Sequence, residues 1–153
     1  MAYLHYWEDF PVGSVRDFAP RTLEREDVLD FARRYDPQPF HIDDGAARAS
    51  QFGGLIASGW HVCAFAMRML CDGDLLATAG MGSPGVETIR WRAPARPGDH
   101  LRLRSTVMQA RLLKSRPGVG LLLTRWEMHN QRDELVMTME GYGMVACRGA
   151  HAD

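Results

Sequence analysis

The 153-residue sequence is poor in lysine and has no excess of charge of either sign. Eighteen basic residues face nineteen acidic ones, so the formal net charge is −1. A protein without a broad positive surface has little attraction for nucleic acid or for anionic lipid, and we expect neither as a partner. Lys114 is the one lysine, which leaves a single candidate for Schiff-base chemistry, in a polar position beside a turn.

Cysteine is also scarce, and long apolar runs are missing. Cys63, Cys71 and Cys147 form no CxxC pair and no cluster with histidine, so neither a disulfide framework nor a zinc site is indicated. Residues 1–10 lack the basic start and apolar run of a signal peptide, and no apolar stretch of about 18 residues follows. We therefore expect a cytoplasmic protein that does not enter a membrane, and no metal site.

The first half of the sequence has helical periodicity. The length and a composition of 46% hydrophobic and 24% charged residues predict one soluble domain over residues 1–153. After a short strand near Val15 to Phe18, Thr22 is expected to cap a helix that Pro37 ends. One further helical turn is expected at 44–50. A second helix follows Ser58, and its sequence is apolar nearly all round, which predicts that it is buried.

The second half of the sequence has the alternation of β-strands. Strands are predicted near 86–92, 99–113, 118–130 and 134–147, and the three-residue segments at 96–98, 116–118 and 131–133 are expected to be hairpin connections. The helix after Ser58 is the one element able to cover the apolar face of such a sheet. The predicted class is therefore α+β, with an antiparallel sheet wrapped around a central helix.

Candidate chemistry is concentrated between Asp36 and Gly59. Asp36 and His41 are a carboxylate and an imidazole, and such a pair can share one water molecule near neutral pH. An extended chain would separate them by about 16 Å, but Pro37 and Pro39 favour a curled loop that brings both side chains to one point. By themselves these residues favour a simpler interpretation, in which Asp36 caps a turn and His41 is an ordinary partly buried residue.

The start of the central helix is a second candidate feature. Ser58 and Gly59 can be explained as an N-cap and a close-packing glycine. The free N–H groups at such a helix start also polarise a carbonyl oxygen without any charged side chain.

The run from Asp36 to Gly59 resembles the hydratase signature of the MaoC-like family. The family places Asp, Asn-Pro, His and a downstream acid before Phe-Gly, an aliphatic pair and the glycine that opens the central helix. The matching positions here are Asp36, Pro39, His41, Asp43, Phe52, Gly53, Leu55, Ile56 and Gly59. The segment from Trp91 to Asp99 is similar to a strand and turn of the same family. Arg34-Tyr35 and Gln38 depart from the family's usual Ser-Gly and Asn, and Ser58 stands where many members have histidine.

The resemblance implies a hot dog fold, a homodimer, and the hydration of a trans-2-enoyl-CoA thioester to 3-hydroxyacyl-CoA, or the reverse dehydration, without a cofactor other than the coenzyme A of the substrate. It implies that Asp36 and His41 hold the attacking water and that the Gly59 N–H stabilises the enolate oxygen. The residues expected to contact the substrate are Gln38, Phe40, Gly54, Ser58 and Met67. Two alternatives stay open, namely an acyl-CoA binding protein without turnover, because of the departures at Arg34-Tyr35 and Gln38, and a hot dog thioesterase.

Overall fold

The computed structural model describes residues 2–150 and contains, in that range, one antiparallel sheet and four α-helices. The helices are α1 (Arg25–Tyr35), α2 (Pro39–Ile42), α3 (Asp44–Ala49) and α4 (Gly59–Gly73), with 3-10 turns at Trp7–Asp9 and Leu75–Ala77. The strands are β1 (Val15–Thr22), β2 (Val86–Trp91), β3 (His100–Leu112), β4 (Val119–His129) and β5 (Leu135–Ala146). The predicted α+β class is confirmed.

The sheet has the order β1-β3-β4-β5-β2, so β1 and β2 are its two edges. The predicted hairpins β3–β4 and β4–β5 form, and their turns contain Gly118 (φ 79°) and Asp133 (φ 64°), residue types that accept positive φ. The segment 96–98 is not a hairpin, contrary to the prediction, because β2 pairs with β5 and the chain then crosses to β3.

The core lies between α4 and one face of the sheet. Its members share a position on the inner side of α4 or of a strand that faces it. On α4 they are Val62, Phe65, Ala66, Met69 and Leu70, and on the strands they are Leu101, Leu103, Met128, Val136 and Met137. Leu101 and Met137 are completely buried, as the alternation of β3 and β5 predicts. Val136 is completely buried as well, although it is out of phase with Met137, because the pairing of β5 with β4 is irregular at this point. The sheet therefore covers one side of α4.

The outer side of α4 is not covered in the single chain, although the sequence predicts a helix buried all round. Trp60 is 59% exposed and Met67 is 49% exposed. The sheet reaches one side of the helix, so apolar residues on the other side remain at the surface. Within residues 2–150, no helix is both long and apolar enough to cross a membrane.

The segment before α1 differs from the expectation. Thr22 belongs to β1, where it pairs with His100 of β3, and it does not cap α1. The N-cap is Glu24, whose side chain makes no capping hydrogen bond. Pairing with β3 extends β1 beyond Phe18 to Thr22, whose hydroxyl oxygen lies 2.8 Å from Nδ1 of His100.

Candidate active site

Asp36 and His41 are brought together by two short helices that meet at a proline-rich bend. Asp36 is the C-cap of α1, and Pro39 begins α2, where its fixed φ suits the first helical position. The single turn of α2 then carries His41 back toward the end of α1. The Nε2 atom of His41 lies 3.2 Å from Oδ2 of Asp36. The predicted convergence of the two side chains is therefore found in the structure.

The imidazole of His41 is fixed by a backbone carbonyl. Its Nδ1 lies 2.8 Å from the carbonyl oxygen of Ile56, and the side chain is buried. A carbonyl only accepts hydrogen bonds, so Nδ1 carries a hydrogen and Nε2 is the atom that faces Asp36. The ring of Phe40 meets the imidazole edge-on, with a centroid distance of 4.6 Å. His41 therefore has one orientation, with Nε2 directed at the carboxylate.

The carboxylate of Asp36 accepts two further hydrogen bonds. Gln38 donates from Nε2 to Oδ1 at 2.7 Å, and Ser58 donates from Oγ to Oδ2 at 2.6 Å. Partial burial opposes the charged form, but the hydrogen bonds from Ser58 and Gln38 and the proximity of His41 outweigh it, so the pKa of Asp36 is below its ordinary value. Asp36 is therefore an ionised proton acceptor at neutral pH. A hydrogen bond between Oδ2 of Asp36 and Nε2 of His41 needs one proton between these two atoms. The pair can exchange that proton with a water molecule.

The start of α4 supplies an N–H group beside this pair. Gly59 is the first residue of α4, so its N–H has no acceptor within the helix. Among residues 2–150, no carbonyl or side chain accepts a hydrogen bond from it. Ser58 occupies the N-cap position as predicted, but its hydroxyl bonds Asp36 and makes no capping hydrogen bond. The Gly59 N–H is thus available to an oxygen atom bound in the site.

A cavity of about 390 Å³ joins these groups. Its lining includes five of the residues that the sequence singles out, namely Asp36, Gln38, Phe40, His41 and Gly59. Phe52, Ile56 and Val62 add apolar wall, and the segment 91–95 closes one side. Carboxylate, imidazole and free N–H therefore border one space with apolar walls, which suits a reacting group attached to an apolar chain.

Three of the predicted substrate contacts do not line this cavity. Ser58 is completely buried behind Asp36. Gly54 faces Arg96, whose guanidinium donates to the carbonyl of Phe52 at 2.6 Å. Met67 lies two turns further along α4 and lines a separate, larger cavity of about 570 Å³ near the C-terminal end of α4 and the Leu75–Ala77 turn. Helical geometry explains why Met67 lies outside this cavity, since eight residues from Gly59 correspond to about 12 Å along the axis.

The cavity is also lined by two tryptophans, Trp60 and Trp91, which the sequence did not identify as site residues. The indole of Trp91, at the end of β2, donates from Nε1 to the carbonyl oxygen of Gly59 at 2.9 Å. Trp60 meets Trp91 edge to face, with a centroid distance of 5.3 Å. A side chain on Gly59 would overlap the indole of Trp91. No pattern local to residue 91 indicates this contact, because the pairing of β2 with β5 decides which residue lies over Gly59.

Known proteins share the sequence pattern and the fold of this chain. The model of the MaoC like domain matches residues 9–121. The crystal structure of a MaoC-like dehydratase from Rhodospirillum rubrum is 40% identical, with a TM-score of 0.87 over 94% of this chain and 97% of the other. The R-hydratase PhaJ1 from Pseudomonas aeruginosa, 23% identical, superposes with a TM-score of 0.71 over 95% of this chain and 88% of the other. At that identity it shows only that the fold is shared.

A relative without a described activity has similar coverage. The protein YdeM of Bacillus subtilis is 24% identical over 134 residues, which are 88% of this chain and 92% of the other. One half of a protein described as a double hot dog fold from Mycobacterium tuberculosis also superposes, with a TM-score of 0.81 over 95% of this chain and 45% of the other. The predicted hot dog fold is therefore confirmed.

Proposed function

The chain belongs to the MaoC-like domain family, and from that membership and the geometry of its site we propose that it hydrates trans-2-enoyl-CoA thioesters to 3-hydroxyacyl-CoA, or catalyses the reverse dehydration. The observation that carries the proposal is the pair of Asp36 and His41, 3.2 Å apart, which borders one cavity together with the free N–H of Gly59. A general acid–base pair and an oxyanion donor are the two things that this reaction requires.

The proposed reaction begins with a water molecule held between the pair and the β-carbon of the substrate. As the water oxygen bonds to the β-carbon, Asp36 and His41 together take one of its protons, and the electrons of the double bond move toward the thioester carbonyl. The Gly59 N–H donates to the oxygen that becomes negative. A proton from the pair then adds to the α-carbon. How Asp36 and His41 divide the two transfers is open, since coupled groups share protons.

The proposed reaction needs no metal ion and no redox cofactor. Water is activated by side chains alone, and the hydration of a double bond involves no net oxidation. Within residues 2–150, no group of three or more His, Cys, Asp or Glu side chains is arranged to hold a metal ion. We expect the activity to be unchanged by EDTA.

The test is to mix purified protein with crotonyl-CoA and longer enoyl-CoA thioesters and to follow the absorbance of the conjugated thioester. Asp36→Asn and His41→Ala should each lower kcat by about 10²-fold or more, in line with the contribution of general acid–base groups. The matched controls are Asp17→Asn and His129→Ala, which change the same residue types outside the cavity.

Two outcomes would contradict hydration. Free thiol that appears while the double bond persists would indicate a thioesterase. Acyl-CoA binding with neither change, across short and long chains and at high protein concentration, would indicate a binding protein.

We also propose that the protein is a cytoplasmic homodimer whose sheets join along β2. This strand is an unpaired edge, and Val86 and Trp91 on it are 52% and 45% exposed. Such edges are commonly covered by a second copy. Trp60 on the uncovered side of α4 contacts Trp91 and would be buried by the same contact. Sedimentation equilibrium should give twice the chain mass, and a monomer at micromolar concentration would contradict the proposal.

A further inference from the structure

The hydroxyl of Ser58 has an unusual hydrogen-bond partner for its position. Ser58 precedes α4 in the N-cap position (φ −55°, ψ 137°), where a serine side chain normally accepts a hydrogen bond from the helix. Its hydroxyl instead donates to Oδ2 of Asp36, which lies 22 residues earlier in the sequence. The helix therefore forgoes the stabilisation of a cap, and the hydroxyl is used at the candidate active site.

Burial makes this hydrogen bond hard to replace. Ser58 is 0% exposed, so bulk water does not reach its hydroxyl. Gln38, which donates to the other carboxylate oxygen of Asp36, is exposed, and a water molecule can take the place of its amide. Of these two hydrogen bonds, the one from Ser58 is therefore the one that water does not replace, and it holds Oδ2 together with the buried His41.

The position of Ser58 also connects the two proposed catalytic groups. The peptide bond between Ser58 and Gly59 contains the N–H that is proposed to bind the thioester oxygen. The Ser58 side chain donates to Asp36, the proton acceptor. Ser58 is therefore bonded both to Asp36, through its side chain, and to the Gly59 N–H, through the backbone. One side chain thus fixes the distance between the groups that act at the β-carbon and at the carbonyl.

We propose that Ser58 is a positioning residue of the active site, whose buried hydroxyl fixes the Asp36 carboxylate relative to the Gly59 N–H. The inference rests on the proposed function and adds to it a residue that does not line the cavity. The same hydrogen bond stabilises the ionised form of Asp36 and, together with Gln38 and His41, lowers its pKa against the effect of burial. Among residues 2–150, His41 is the one titratable side chain that acts on this carboxylate.

The experiment compares Ser58→Ala with Ser58→Thr, which keeps a hydroxyl, in crotonyl-CoA hydration from pH 4 to 9. Ser58→Ala should lower kcat by about 10- to 100-fold, the range expected for a hydrogen bond to a charged group, and leave KM within about twofold. The acid limb of its kcat profile should move to higher pH, and Ser58→Thr should restore much of the loss. Ser14→Ala is the control, because the Ser14 hydroxyl bonds the carbonyl of Pro11 in a turn outside the site cavity.

A second measurement does not depend on turnover. The ¹³C resonance of the Asp36 carboxyl, assigned through Asp36→Asn, should titrate at higher pH in Ser58→Ala than in the wild type. If Ser58→Ala does not fold, Ser58→Cys, which has a similar size and a weaker donor, replaces it in both measurements. An unchanged titration of Asp36, or a wild-type pH profile with wild-type kcat, would overturn the role of Ser58. If the wild type hydrates no enoyl thioester, the proposed function fails, and the titration still decides whether Ser58 holds Asp36.

Discussion

Replacement of Gly59 by alanine tests the contact that shapes the candidate active site. In a helix, alanine is ordinarily more stable than glycine by up to about 1 kcal/mol, so helix propensity alone predicts a gain. The structure predicts a loss, because the new Cβ would lie 2.7 Å from Nε1 and 2.8 Å from Cδ2 of the Trp91 indole. No two such atoms approach so closely, so either Trp91 or the start of α4 must move.

The magnitude follows from what the indole would lose. In the single chain Trp91 is 45% exposed, so its side chain can swing into solvent there and the cost is limited to its present contacts; burial in the proposed dimer would add to that cost. These are the hydrogen bond to Gly59, worth about 0.5–1.5 kcal/mol, and the edge-to-face contact with Trp60, worth a similar amount. The two contacts together are worth about 1–3 kcal/mol, so after a propensity gain of about 1 kcal/mol is subtracted, Gly59→Ala should lower the free energy of unfolding by up to about 2 kcal/mol.

Urea denaturation measures this change, and a double-mutant cycle assigns its cause. In the background of Trp91→Ala, the overlap no longer exists, so Gly59→Ala should be neutral or stabilising there. Gly143→Ala is the control, since nothing lies within 4 Å of its added Cβ, and it should not destabilise. If Gly59→Ala stabilised the protein that retains Trp91, the indole would not lie where the structure places it, and the described cavity would be wrong on that side.

Three further predictions concern pH, the site and the core. Burial lowers the pKa of His61, an effect that Asp27 partly opposes, so the unfolded chain binds the proton more readily than the folded one. The free energy of unfolding should therefore fall as the pH drops below about 6.5. His61→Leu should flatten this dependence in urea titrations at several pH values. Gln38→Ala should lower kcat less than Ser58→Ala does, because water replaces an exposed amide; an equal or larger loss would mean that Gln38 acts on the substrate directly. Leu101→Ala should lower the free energy of unfolding by about 2–5 kcal/mol, and a change below 1 kcal/mol would contradict its place in the core.

The sequence predicts the features that depend on neighbouring residues. Alternation in β3 and β5 identifies the inner residues of the sheet, and the apolar run after Ser58 identifies α4 as the helix that the sheet covers. The spacing of Asp36 and His41 around two prolines predicts that their side chains meet, because the restricted backbone leaves few ways to connect them.

Tertiary structure alone decides the contacts between distant segments. The Ser58 hydroxyl bonds Asp36 and leaves the helix uncapped, and Trp91 lies against Gly59, 32 residues away. Met67 falls outside the site cavity because the rise of α4 carries it to another space. Local propensity determines which residues form an element and which face is apolar. The pairing of β2 with β5 and the packing of the bend on α4 determine which side chains meet, and those contacts are made only when the whole domain has folded.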